Sequence, residues 1–442
     1  MPRFRILVPF VVLGLLAVVY ASVLYLRSSK TELQVQTPVK VIGSATPIRV
    51  LAINRNGVRR LSASIEQGGK SYPVYGKEFP AVRWNLFRTA ETPAVLQFEA
   101  GSKTAPGLQD GKAVVRLEAV SNDFASRTSS LALEVDVNSK PPAVSVDDEE
   151  IVATLGGSGV VAFTVGGYVT ESGVRVGKYV FRSWPMPGAA SAERRIALFA
   201  LPHDLPEGEF PVVYASNPSG AEAVGRIRHN ITRKKFRQRD IKLEDGFLSK
   251  VLSELDLGGR GSEIIRFVRI NKDMRQANNQ QLADLRLKTA DRMLWDGPFQ
   301  QLANSSVEAQ YCDYRTYFYK GESVDEQVHL GFDLATTARA PVTASNDGQV
   351  VFAGRLGIYG NAVVIDHGFS LQSLYAHLSE ISVKAGESVK KRQVIGRSGD
   401  TGLAGGDHLH FTMLLEGVPV NPVEWWDAHW LEDRLFRRMK KP

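Results

Sequence analysis

Residues 406–413 read Gly406-Asp407-His408-Leu409-His410-Phe411-Thr412-Met413. With Phe411, Met413 and Leu415 following, this stretch has the pattern of a β-strand. In a strand, residues i and i+2 point to the same face, so the His408 and His410 imidazoles are neighbours. Two such side chains can hold one metal ion, or one can hold it while the other works on a substrate. Upstream lie two more segments of the same character, Tyr375-Ala376-His377-Leu378 and His329-Leu330-Gly331-Phe332-Asp333. His329 and Asp333 are four apart, but Gly331 and the β context predict a strand end leading into a loop. Five of the eight histidines fall between His329 and His410.

The cysteine count narrows the chemistry. Cys312 is alone, which excludes an internal disulfide framework and a thiolate zinc cluster. Any metal must be held by His and carboxylate. A catalytic zinc takes three protein ligands and keeps one open position. A set drawn from His329, Asp333 and His410 meets that requirement and leaves His377 and His408 off the metal. His203 and His229 have no His or acidic partner at ligand spacing and read as surface residues, as does His429. His367 reads as structural.

Outward from this segment the chain is organised in modules. With 442 residues, 43% hydrophobic and 23% charged, it is an ordinary globular composition of about three domains, neither disordered nor fibrous. From 37 to 146 the period is two, with Leu131, Leu133, Val135 and Val137 alternating with Ala132, Glu134 and Asp136. Gly68-Gly69, Pro106-Gly107 and Asp110-Gly111 punctuate the strands, which predicts an immunoglobulin-like β-sandwich. A second β-rich module is expected over 147–232. The basic run Arg233 to Arg239 reads as a solvated linker. Over 236–304 the spacing of Leu243, Phe247, Leu248, Val251, Leu252 and Leu255 predicts a helical connector, with Trp295 and Phe299 as core candidates. The histidine-rich domain is expected over 306–426, and 427–442 as a basic tail. The fold class is thus mainly β and multi-domain.

Ile6 to Leu26 carries no charged side chain over 21 residues, long enough at 1.5 Å per residue to cross about 30 Å of hydrocarbon. Residues 1–30 therefore read as a membrane anchor with helix 6–26, and the chain beyond Lys30 as exported to one side. A cleaved signal peptide ending near Val19-Tyr20-Ala21 is the alternative. The net charge of +7 is compatible with an anionic polymer without naming one; nucleic acid is not expected.

The segments HLGFDLA, GQVVFAG, YGNAVVIDHG, LYAHLS, VKAGESVKKRQVIGRSGDTG and GDHLHFTM, between His329 and Pro422, resemble the lysostaphin-type (LytM-like) zinc metallopeptidases. That resemblance implies an antiparallel β-domain with a groove and a hairpin similar to lipoyl carriers. It implies one Zn2+ per chain on His329, Asp333 and His410, with His377 and His408 as catalytic histidines. It further implies hydrolysis of peptide cross-links in peptidoglycan stem peptides, on the periplasmic side of a bacterial cytoplasmic membrane. Two departures stand out. Arg392 occupies a turn position where the family commonly has Gly, and Ala404-Gly405-Gly406-Asp407 replaces a Ser/Thr-Gly-Pro before the H-x-H. Some relatives have lost ligands and act as non-enzymatic activators of cell-wall amidases, or as binding modules. Here all five positions are filled, which favours the enzyme.

Overall fold

The computed structural model describes residues 3–85, 92–256, 258 and 260–440. The chain is mainly β and divides into two compact units. One holds residues up to 142 with 167–170 and 216–222; the other holds 143–166, 171–215 and 223 onward.

The first unit begins with helix α1 (Arg3–Leu26). Its stretch Pro9–Leu26 has a mean hydropathy of 2.3 and is almost entirely unburied, with Leu13, Leu16 and Val18 all exposed. Among the described residues this is the one helix long and apolar enough to cross a membrane. Beyond it, two sheets, antiparallel except where Val41–Ile42 pairs in parallel with Thr128–Val137, enclose a core. Three strands (Glu32–Val35, Thr46–Ile53, Ala94–Ala100) form one sheet. Five strands, with Gly111–Ser121 between Val58–Gln67 and Thr128–Val137, form the other. Alternation decides which side chains meet: Ile48 and Val50 from one sheet join Leu61, Val115 and Leu117 from the other. Each such side chain removed from water contributes roughly 1.5–3 kcal/mol. Gly68 and Gly69, at φ +56° and +76°, turn the hairpin that pairs Gln67 with Lys70, a two-residue turn that requires positive φ at both positions.

The second unit contains a seven-stranded sheet whose middle strand is Tyr179–Pro185, followed on one side by Arg194–Ala200 and Ser158–Gly166. Its C-terminal part is a mixed-length antiparallel sheet in which Phe332–Ala335, Leu409–Leu415, Leu371–Leu378, Asn361–Asp366 and Gly348–Arg355 lie side by side. Leu371–Leu378 and Leu409–Leu415 are buried at every residue, as strands covered on both faces are, and this burial includes the polar Gln372, Ser373, His377, His410 and Thr412.

The connector is not wholly helical. Gln238–Leu243 is a strand that pairs in parallel with Asp313–Tyr319, ahead of helices α2 (Asp245–Leu255), α3 (Glu263–Arg269) and α4 (Arg275–Asp284). Residues 288–305 have no regular structure. Leu248, Val251, Leu252 and Leu255 of α2 and Phe267 of α3 share one core with Ile358 of a short helical turn and with Val364, Leu374 and Leu414 of the sheet. Trp295 and Phe299 are buried as expected, against Trp425.

The basic run is likewise not simply a linker. Arg237 makes a two-pronged ion pair with the buried Asp313, at 2.7 and 2.5 Å. Burial alone would raise the Asp313 pKa, but the Arg237 hydrogen bond offsets this and lowers it. His203 is half-buried rather than on the surface, bonded through Nδ1 to the Tyr314 hydroxyl at 2.9 Å, and His229 stacks on Phe210. Residues 428–439 are helical rather than a loose tail, with Leu431 and Leu435 buried. Arg392 takes φ +70°, a conformation glycine would adopt freely and that costs other residues roughly 1–2 kcal/mol.

Candidate metal centre

Four strands bring the predicted residues together. His329 ends the strand Glu322–His329, and the chain turns at Gly331 into Phe332–Ala335. The turn needs a glycine, because a Cβ at Gly331 would come within 2.6 Å of His410 Nε2 and 2.5 Å of Thr412 Oγ1. Phe332–Ala335 then pairs with Leu409–Leu415 in a register that sets Asp333 opposite His410. On the far side of that strand, Ala376 is opposite His410, so His377 follows at the strand's end. His408 precedes the same strand by one residue and bridges to Gly399.

The three candidate ligands converge on one point. His329 Nε2 lies 2.9 Å from Asp333 Oδ1 and 3.0 Å from His410 Nδ1, and His410 Nδ1 lies 3.0 Å from Asp333 Oδ1. Ligand bonds of about 2.1 Å in a tetrahedron place donor atoms about 3.4 Å apart, close to this triangle. The outer partners fix where the protons sit. His329 Nδ1 faces the Gln310 carbonyl oxygen at 2.9 Å, which can only accept, so Nδ1 carries the hydrogen and Nε2 turns a lone pair inward. The Thr412 hydroxyl donates to the Leu330 carbonyl at 2.9 Å and so accepts from His410 Nε2 at 3.0 Å. That leaves the His410 Nδ1 lone pair inward as well. Two lone pairs and a carboxylate oxygen then face one another at about 3 Å, an arrangement that repels unless a cation sits between them. The donor set therefore fits a divalent metal ion.

His377 and His408 stand beside this triangle, their rings 4.9 Å apart by centroid. His377 Nδ1 donates to the Thr401 carbonyl at 2.8 Å, leaving Nε2 as an acceptor. Its φ of +62° marks a strained backbone held by its surroundings. His408 Nδ1 is 2.8 Å from the Gly406 carbonyl, and its Nε2 is 3.4 Å from Asp333 Oδ1. Burial, reinforced by His408 and His410, pushes the His377 pKa well below the usual imidazole value. Burial brings His410 down to about 4 despite the adjacent Asp333 carboxylate. For His408, burial is outweighed by the Asp333 hydrogen bond and charge, and the pKa is raised. Burial would raise Asp333, but the neighbouring histidines hold its carboxyl well below the ordinary range.

All five residues line one cavity of about 290 Å³. Several of its other walls carried no signal in the sequence. Arg315 donates from Nη2 to Asp333 Oδ2 at 3.2 Å, and its buried Nε has no hydrogen-bond partner among the described residues. Leu243, Phe247 and Arg275 reach the cavity from the connector. The same connector ties down the loop before His408. Glu254 Oε1 accepts from the Gly402 N–H at 2.6 Å, and Lys250 Nζ lies 2.7 Å from Asp400 Oδ2 and 3.1 Å from the Ala404 carbonyl. Ala404 and Gly405, which depart from the family pattern, line the cavity directly. His367 is fully buried between the Asp347 carbonyl and Ser373 Oγ, away from the triangle, and is structural.

Residues 327–422 match the model of peptidase family M23. The segment is 47% identical over 97 residues to the DD-carboxypeptidase/endopeptidase Mpg of Neisseria meningitidis serogroup B, covering 22% of each chain. It is 44% identical over 96 residues to the peptidoglycan DD-endopeptidase ShyA of Vibrio cholerae, again 22% of each. Among solved structures, the catalytic domain of the antimicrobial peptidase lysostaphin from Staphylococcus simulans is 29% identical, over 30% of this chain and 98% of that one, with a TM-score of 0.26. The chain thus matches 22% of the length of the two curated relatives. Residues 327–422 are a peptidase M23 domain, as the sequence resemblance implied, and the five histidine and aspartate positions all lie within it.

Proposed function

We propose that this chain is a membrane-held zinc metalloendopeptidase that hydrolyses peptide cross-links of peptidoglycan outside the cytoplasmic membrane. The observation that carries the reading is the convergence of the His329 and His410 lone pairs with Asp333 Oδ1 on one point. His329, Asp333 and His410 would hold the zinc, one per chain. When bound, zinc lowers the pKa of a water and polarises the scissile carbonyl. His377, neutral at pH 7 and presenting Nε2, accepts the proton released at that step. His408, whose pKa the adjacent Asp333 raises and whose Nε2 faces the triangle, would stabilise the developing oxyanion. The names of Mpg and ShyA support a D,D-bond as the one cut. The apolar helix α1 supports anchoring in the membrane, with secretion after cleavage as the competing outcome. A non-enzymatic binding or amidase-activating role is disfavoured because all five positions are filled.

The test is to incubate the purified, zinc-loaded protein with sacculi and analyse the released muropeptides. Loss of cross-linked dimers in favour of monomers is expected, and a bound metal with no new fragments would sink the reading.

A further inference from the structure

The second unit contains a larger cavity of about 780 Å³ that shares Arg275 and Tyr359 with the cavity at the metal centre. It therefore adjoins the reacting end of the groove through two side chains. About half of its walls come from outside the M23 segment, from the strand hairpin at Lys178–Val180 and from the helical stretch 272–286. Its charge is one-sided. Lys178, Lys272, Arg275 and Arg286 line it, against the single carboxylate of Glu416. That carboxylate is already neutralised, since Arg182 Nε lies 2.7 Å from Glu416 Oε1. Among the described residues neither Lys178 nor Lys272 forms an ion pair, and both are exposed. Arg275 is held in place, its Nε on the Asn271 carbonyl at 3.0 Å and its Nη2 on Asn271 Oδ1 at 2.6 Å. A guanidinium fixed in this way is a ready partner for a carboxylate. Gln276 and Gln327 add amides able to bond a peptide backbone.

We propose that this chamber binds a carboxylate-bearing stem peptide, the part of the cross-linked substrate that is not cut. Its cations read free carboxylates while the adjoining cavity holds the scissile bond. The proposal deepens the peptidoglycan reading and rests on it. A concave site lined by one sign of charge concentrates an opposite-charged ligand, and that attraction weakens as salt rises.

The experiment uses the full chain in detergent, with His410→Ala to prevent turnover, and a fluorescently labelled synthetic stem tetrapeptide followed by anisotropy. Adding K178E/K272E should weaken binding roughly tenfold, as loss of charge-assisted contacts implies. Amidating the peptide's carboxylates should weaken it comparably. Reversing Lys234 and Lys235, exposed lysines outside the chamber, should leave affinity within about twofold. Should K178E/K272E unfold, judged by thermal melting, K178Q/K272Q serves instead with a smaller loss. Equal binding by parent and chamber variants, undiminished binding of the amidated peptide, or an equal loss from K234E/K235E would each overturn the proposal. Sacculus digestion by the unaltered protein runs in parallel. If that digestion fails, the hydrolase reading falls, while the anisotropy still decides the chamber.

Discussion

Asp333 and His410 sit directly opposite each other on adjacent antiparallel strands, with Oδ1 3.0 Å from Nδ1. A cross-strand pair is the closest side-chain relationship a sheet offers, so the carboxylate and one imidazole are placed by sheet register alone. Only His329 has to be delivered by a turn.

Because Thr412 fixes the His410 tautomer, Thr412→Val should lower zinc affinity by about 10–100-fold while leaving the fold intact. Competition against a chromogenic chelator measures this. Asp333→Asn should lose the metal altogether. Wild-type affinity in Thr412→Val would show that the hydroxyl does not set the tautomer.

His377→Ala should keep its zinc and lose turnover by about 10²–10⁴-fold, the usual scale for a removed proton acceptor. The measurement pairs metal analysis with the rate of muropeptide release. Full-rate digestion would remove His377 from the mechanism.

Glu424 gives a pH-dependent stability. Burial pushes its pKa up to about 7, and its Oε2 accepts from the Ser158 N–H at 2.7 Å. The folded pKa lies above the unfolded one, so the folded state holds the proton more tightly. The resulting stability is fully present below about pH 4.5 and lost as pH rises through 7, on the order of 3 kcal/mol. Urea midpoints at pH 5 and pH 8 should differ in the wild type more than in Glu424→Gln. An equal difference in both would assign the pH effect elsewhere.

A fragment of residues 306–442 should not fold well, although it contains the whole M23 domain. It lacks α2 and α3, whose Leu248, Val251, Leu252 and Phe267 share a core with Ile358, Leu374 and Leu414. At roughly 1.5–3 kcal/mol per uncovered side chain, the loss rivals a typical total stability of 5–15 kcal/mol. A fragment of residues 143–442 should remain soluble with a cooperative melt. Equal thermal stability of the two fragments would contradict this account.

The sequence by itself pointed to the candidate site residues and to the strands that carry them. Alternation sent His408 and His410 to one face, the lone cysteine restricted the donors to His and carboxylate, and the glycine at 331 marked the turn. These signals are local, spanning two to four residues, so they survive without a fold. The tertiary structure alone decided what surrounds them. Arg315 meets Asp333 from another hairpin, Gln238–Leu243 joins a sheet within what the helical spacing had marked as connector, and Arg275 links two cavities. Leu431 and Leu435 are buried among charges that made their segment look like a tail. Each of these depends on partners well beyond the reach of a local pattern, where register and packing, rather than periodicity, choose the contact.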